Sequence, residues 1–199
     1  MINPILISLP KQIETPRLII RPPLLGDEWE FNKAKVESHE ELREWLPWAQ
    51  KIPTLQESEI TVREFMANWI LRKDLVMFIF EKDTMKFLGG TGLHRIDWMI
   101  PRFEIGFWMR TSQAGKGYIT ESTNALLRFS FDWLKAARVE IRCSSKNHKS
   151  ESVMKRLNLE FEGTLKKNFY NPQGPRIDDT QLYVAFDTKS LPPLDVKWI

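Results

Sequence analysis

Cysteine is almost missing from this sequence: Cys143 is the single one in 199 residues. A disulfide framework is thereby excluded, as is a cysteine-rich metal site, and a reducing compartment suits such a chain. Histidine is nearly as scarce. His39, His94 and His148 are too dispersed to suggest a metal triad, so no metal is expected. Long apolar runs are lacking too. None approaches the roughly 20 residues needed to cross a bilayer, and residues 1–9, though apolar, lack the charged leader of a signal peptide. The expectation is a cytoplasmic protein with no membrane partner. Nor is there an excess of one charge: 29 basic and 26 acidic residues leave +3, too little to argue for nucleic acid. The tight basic groups, Lys166-Lys167 and Lys146…Lys149, are read as solvated surface.

What is present is an ordinary globular balance, 42% hydrophobic and 28% charged, enough for one domain over 1–199 with a core of about 15–187 and a tail from 188. Arg17–Arg21 reads as a short strand closed by Pro22-Pro23, followed by helices over Gly26–Ser38 and Glu40–Trp45. Thr54-Leu-Gln-Glu57 has capping-box spacing, and Val62, Phe65, Met66 and Trp69 then recur at helical spacing, predicting a helix over Gln56–Arg72. Leu75–Glu81, Phe87–Ile96 and Phe103–Arg110 read as an antiparallel meander. A helix follows over Gly117–Lys135, then strand Arg138–Cys143, a short helix Lys149–Leu157, and strands Leu159–Tyr170 and Asp179–Phe186 around a turn at Asn171–Gly174. The fold class is α/β: a mixed, mostly antiparallel sheet with a strand–helix–strand unit grafted onto a meander, and flanking helices. Pro192-Pro193 and Trp198-Ile199 suggest a tail that packs on a neighbour; monomer and homodimer both stay open.

The chemistry concentrates where strand Phe103–Arg110 runs through Thr111-Ser-Gln-Ala into Gly115-Lys-Gly-Tyr-Ile-Thr120 and a helix. Such a loop aims several backbone N–H groups at one point, and the helix dipole adds positive potential there. Glycines 115 and 117 let the backbone curl without a Cβ in the way of an anion. A phosphate or pyrophosphate is the natural guest, with Lys116 able to add charge. The sequence lacks the P-loop pattern. Gly115-x-Gly117-x-x-Thr120 comes near the dinucleotide fingerprint, but Thr120 replaces the third glycine, Glu140 falls mid-strand, and a meander precedes it.

Taken together, Glu104-Ile-Gly-Phe-Trp108, Gln113-Ala-Gly-Lys-Gly-Tyr118, Thr120-Glu-Ser122, Arg138-Val-Glu-Ile-Arg142, Asn147-x-x-Ser150 and Arg156-Leu157…Glu162-Gly163 stand in the order seen in the GNAT superfamily of N-acetyltransferases. The chain most resembles the branch containing the bacterial ribosomal-protein N-terminal acetyltransferases, over roughly Thr15–Phe186. The resemblance implies a GNAT-type sheet with acetyl-coenzyme A bound where it splays, between Phe103–Arg110 and Arg138–Cys143. Pantetheine would pair with backbone groups of Trp108, Met109 and Arg110, like an added strand. The pyrophosphate would sit on amides of Gln113, Ala114, Gly115, Lys116, Gly117, Tyr118, Ile119 and Thr120. Asn147 and Ser150 would face the thioester end. The Glu44–Trp48 junction borders the acceptor site in the family, which implies acceptor contact for Trp45 and Trp48. Asp179 and Tyr183 match a family pattern as well.

Two positions depart from the broad family. Ser112 stands three residues before the first loop glycine, where Arg or Gln is common, and Met154 stands where a tyrosine acid is common. A thioether has no proton to give, so Ser150 or a bound water would protonate the leaving thiolate. An amine attacks a thioester only when uncharged, so a base is needed. Glu104 is the first candidate: Phe103, Ile105, Phe107 and Met109 would face the core and Glu104 the other side, beside Gly106. The alternative is a carboxylate facing solvent or paired with an arginine. Amides near Trp108–Met109 would supply oxyanion donors. His94 either shuttles protons beside the acceptor or is structural, and Cys143 reads as a core thiol, not a nucleophile. The acceptor would be an amine: a protein N-terminus, or a small one such as a polyamine, amino acid or aminoglycoside. A coenzyme A-binding sensor without catalysis is the alternative of another class.

Overall fold

The computed structural model describes residues 3–170 and 177–199. Its centre is β3 (Leu75–Glu81), buried at every position but the last. Successive side chains of a strand point to opposite faces, and the two faces of β3 enter two cores. Leu75, Met77 and Ile79 join a large apolar cluster, and Val76, Phe78 and Phe80 a smaller one. A strand covered on both faces reads as a continuous apolar run.

Around β3 lie β1 (Ile13–Glu14), β2 (Leu18–Arg21), β4 (Phe87–Asp97), β5 (Arg102–Met109), β6 (Arg138–Ser144), β7 (Glu160–Tyr170), β8 (Ile177–Ala185) and β9 (Lys197–Trp198). They form one sheet in the order β7-β8-β6-β5-β4-β3-β2-β1-β9. Every pairing is antiparallel except β5 with β6. Helices α1 (Glu28–Glu37) and α3 (Leu55–Leu71) meet the smaller cluster, through Phe31 and Ala34 on α1 and Val62 on α3. Helix α4 (Tyr118–Arg128) buries Ala125, Leu126 and Leu127 in the larger one, joined by Val153 and Met154 of α5 (His148–Arg156). A short α2 (His39–Arg43) links α1 to the rest.

The expected order of elements holds, with local corrections. Helix α1 starts two residues later than expected, because the Asp27 carboxylate is taken by Arg21 at 2.7 and 2.8 Å and by the Leu24 N–H. The capping box at α3 is complete, with Thr54 and Glu57 each satisfying the other's backbone N–H. The long helix expected to reach Lys135 is α-helical only to Arg128 and closes as a π-helical turn over Phe129–Trp133. Strands β1 and β9 were not expected. The tail packs on its own chain: β9 pairs with β1, and the Trp198 ring lies 5.8 Å from Phe129 and 6.3 Å from Trp133. The expected turn at Asn171–Gly174 lies outside the described residues, although the β7–β8 pairing on either side is present.

Candidate active site

Strands β5 and β6 pair only at Arg102↔Arg138, Phe103↔Val139 and Glu104↔Glu140. Beyond that point β5 stays with β4 as far as Met109↔Gly89, and β6 stays with β8 as far as Ser144↔Thr180. Each strand is thus held on its outer side while the inner sides diverge. The wedge opens into a cavity of about 600 Å³, walled by Glu104–Phe107 of β5, Ile141–Ser144 of β6, and Asn147 and Ser150 at the start of α5.

The glycine loop lies at the far end of β5. A 3-10 turn over Thr111–Gln113 is tied to the α1–α2 corner, where Ser38 Oγ receives the Thr111 N–H at 2.9 Å and Glu37 the Ser112 N–H at 3.0 Å. Gly115 and Gly117 then adopt φ of +79° and +82°, which a side chain strongly disfavours, and α4 begins. Of the amides expected to hold a pyrophosphate, those of Gln113 and Ala114 already donate to Arg110 and Thr111 carbonyls. The N–H groups of Gly115, Lys116, Gly117, Tyr118, Ile119 and Thr120 have no acceptor among the described residues, so the open row starts at Gly115. The Lys116 ammonium folds back onto Gln113 Oε1 at 2.8 Å. Tyr118 donates its hydroxyl to Glu81.

Arg110 is only partly available for the strand-like pairing expected of it. Its N–H donates to the Leu88 carbonyl at 2.7 Å, and its guanidinium reaches away to Glu37 at 2.6 Å and Glu30 at 3.3 Å. Arg17, from the turn before β2, was missed in the sequence. Its guanidinium donates to the Lys116 carbonyl at 3.0 Å, pairs with Glu121 at 2.6 Å and lies 4.8 Å over the Tyr118 ring. A residue nearly 100 positions from the loop leaves no local signal.

Glu104 does face away from the core, as the alternation of β5 requires, and the apolar set divides as expected. Phe103 and Ile105 are buried, while Phe107 and Met109 are partly so. It also has arginine partners: Oε2 lies 3.4 Å from Arg95 Nε and 3.2 Å from Arg142 Nε. Neither contact is aligned as a hydrogen bond, and Glu104 Oε2 and Arg142 Nε are both buried without one. Burial pushes the Glu104 carboxyl above its usual value, against the pull of Arg95 and Arg142. Arg142 is held instead by Glu140 at 2.7 Å, and Glu140 also receives Arg138 at 3.1 Å. The signal for this network was in β6 itself, where Arg138, Glu140 and Arg142 alternate with Val139, Ile141 and Cys143.

At the opposite wall, Asn147 Oδ1 accepts the Ser150 backbone N–H at 3.0 Å and caps α5, which fixes the Asn147 side chain and sets Ser150 at the cavity rim. Met154, one turn on, is fully buried in the core and does not line the wedge. Cys143 is not sealed in the core as expected. It lies at the cavity wall, half-buried, with its thiol pushed up to about 11 by burial, and so stays protonated and a weak nucleophile. Tyr183 donates to Glu151 at 3.2 Å, and burial raises its hydroxyl to about 12. Asp179 accepts the Lys167 N–H. Neither lines the wedge.

A second cavity, of about 560 Å³, lies between α1, α3 and the sheet and meets the first at Leu46, Gly106 and Phe107. The tryptophans divide between them: Trp45 lines the wedge and Trp48 the second cavity. His94 also lines the second. Its Nδ1 lies 2.7 Å from Asp74, and its ring sits where a Gly106 side chain would stand, 3.0 Å from Nε2 to that Cβ position. Among the described residues no group of three or more His, Cys, Asp or Glu could hold a metal.

Comparison with known proteins agrees with this geometry. The family described as Acetyltransferase (GNAT) domain matches residues 17–160. The chain belongs to the GNAT acetyltransferase family, and by family it is an acyltransferase. The ribosomal-protein-serine acetyltransferase of Escherichia coli (strain K12) is 28% identical over 71% of this chain and 77% of its own. Matches to curated relatives span from 45% to 77% of those proteins' lengths. Among solved structures, the microcin C7 self-immunity acetyltransferase MccE with acetyl-CoA and AMP superposes with a TM-score of 0.80 at 22% identity, covering 86% of this chain and 93% of its own. The ribosomal L7/L12 α-N-protein acetyltransferase RimL with coenzyme A also gives 0.80, at 20% identity, covering 87% and 96%. These two show that the fold is shared.

Proposed function

We propose that this chain transfers an acetyl group from acetyl-coenzyme A to the α-amino group of a protein N-terminus, by direct attack of the amine on the thioester. The observation that carries the reading is the wedge itself. Two strands part beside a row of unbonded amides, Gly115–Thr120, and a half-buried carboxylate stands inside. The residues fit the co-substrate: the amides suit a pyrophosphate, and the inner edge of β5 at Trp108–Met109 suits an extended chain. Acetyl-coenzyme A supplies the activated acyl group, and the protein supplies orientation and proton management.

Glu104 takes the proton from the attacking amine. A carboxylate lifted by burial is a better base than one in water, and Arg95 and Arg142 pull against that lift. Amides near Trp108 and Met109 steady the oxyanion. Ser150, at the capped start of α5, gives a proton to the departing thiolate, and a buried Met154 has no part in it. Relatives named for acetylating ribosomal proteins support a protein N-terminus as the acceptor.

The test is acetyl transfer to synthetic peptides with free and blocked N-termini, read by mass spectrometry beside polyamine, amino acid and aminoglycoside acceptors. A product at the free N-terminus alone is expected. A product only with the small amines would move the acceptor assignment to them. Binding of acetyl-coenzyme A with no turnover on any acceptor would favour a sensor.

A further inference from the structure

The cavity between α1, α3 and the sheet is lined largely by aromatic rings, yet it contains one lysine. Lys35 projects from α1 with its ammonium 4.9 Å over the Phe31 ring and 5.3 Å over the Trp48 ring. Burial lowers its basicity, and the charge that acts on it, Glu57, lies beyond ion-pair distance. The Glu57 carboxylate is committed elsewhere, accepting the Thr54 N–H at 2.7 Å and the Thr54 hydroxyl at 3.0 Å in the α3 capping box. Asp74, the cavity's carboxylate, is held by His94 at 2.7 Å. No carboxylate lies within 4 Å of Lys35 Nζ among the described residues. The ammonium is partly withdrawn from water and faces aromatic rings, an incomplete exchange for a charge.

A volume of about 560 Å³ is of the size that takes small organic ligands, which run from about 300 to 1,000 Å³. Aromatic walls with a single half-buried lysine favour an apolar or aromatic group that brings a negative charge. The cavity joins the wedge at Gly106 and Phe107, so a ligand seated there can extend its amine toward β5.

We infer that this cavity is the side-chain pocket of the acceptor and receives a bulky apolar or aromatic group bearing an acidic function, whose charge pairs with Lys35. The inference rests on the acetyl-transfer reading, since it assigns the acceptor's leading residues. It points to N-termini that combine an aromatic or large apolar residue with an acidic one, and away from basic N-termini.

The test uses 3-phenylpropionate as probe, with acetyl-coenzyme A saturating, followed by calorimetry and by intrinsic tryptophan fluorescence. Binding to the wild type is expected, with at least a tenfold loss in Lys35→Met and no comparable binding of 3-phenylpropylamine. Trp48→Ala, at a half-exposed position that tolerates truncation, is expected to weaken the probe as well. Unchanged acetyl-coenzyme A affinity in both variants shows that they are folded. No binding to the wild type, equal affinity in Lys35→Met, or displacement of the probe by acetyl-coenzyme A would each overturn the pocket. Because this readout needs no turnover, the pocket can stand if no peptide is acetylated. Conversely, peptides acetylated without regard to charge, in wild type and Lys35→Met alike, would sink the pocket and leave the N-terminal reading intact.

Discussion

Glu104→Gln separates a catalytic carboxylate from a structural one, because the two roles move stability in opposite directions. The amide keeps the shape and removes the charge that burial disfavours. A carboxyl whose folded-state pKa is raised holds its proton more tightly in the folded chain than in the unfolded one. Its contribution is therefore greatest at acid pH and is lost as pH rises through the raised value. At neutral pH the charged Glu104 is a net liability to the fold, and Glu104→Gln is expected to hold or raise Tm, with the gain fading on acidification. Arg142 keeps its 2.7 Å partner Glu140 in the variant, which limits the cost of the lost contact. Turnover moves the other way. A positioned base contributes about 10²–10⁴-fold, so kcat/KM should fall by about 3–5 kcal/mol of barrier. The pH profile adds a second signature. Both the acceptor amine and Glu104 must be deprotonated, so log kcat/KM of the wild type steepens toward two proton equivalents at the acid end, and that of the variant keeps one. Thermal unfolding and initial rates across the same buffers measure all three. A variant that loses stability and activity together, with the wild-type slope kept, would refute the assignment and leave Glu104 as a partner for Arg95 and Arg142.

Other substitutions probe the rest of the site. Gly117→Ala forces a side chain into φ of +82° and should cost roughly 1–2 kcal/mol in chemical denaturation, while Gly117→Trp should abolish the calorimetric signal of acetyl-coenzyme A. Ser150→Ala should lower kcat with little change in cofactor affinity. Asn147→Ala, which removes the α5 cap, should lose about 1 kcal/mol of stability in addition to activity. Trp198→Ala uncovers Phe129 and Trp133 and, because Trp198 is only partly buried, should cost less than the roughly 3–5 kcal/mol of a core tryptophan in urea unfolding, with the acetyl-coenzyme A affinity of the folded fraction unchanged.

The central sheet was legible because β3, β4 and β5 carry long apolar or alternating runs, and the loop because Gly115 and Gly117 have no other use at positive φ. The Glu104 side of β5 could be read from alternation alone. Its arginine partners required knowing that β6 lies beside it, in register at Glu140. Arg17, Asp74 and Lys35 were invisible for a related reason. Each acts on residues brought near only by tertiary packing, and none carries a local pattern. The two-residue strands β1 and β9 are too short for any periodicity, and the Trp198 that fixes β9 read as part of a tail packing on a neighbour. The end of α4 was misjudged because a π-helical turn keeps the apolar face of the helix it finishes.

The pairing of β1 with β9 has a consequence for how the protein is made. Ile13 lies opposite Trp198, so one margin of the sheet is completed by residues nearly the whole chain apart. While the chain is still emerging during synthesis, β1 must wait for its partner, with an unpaired strand edge open to the wrong neighbour. Contacts of such long range also slow folding, because the intervening loop must close before they return any stability. The meander from β3 to β5 can form from local contacts well before that. The C-terminal strand therefore acts late, as a clasp on a structure already built, and a tag or truncation there would show first as poor yield and aggregation, not as a change in catalysis.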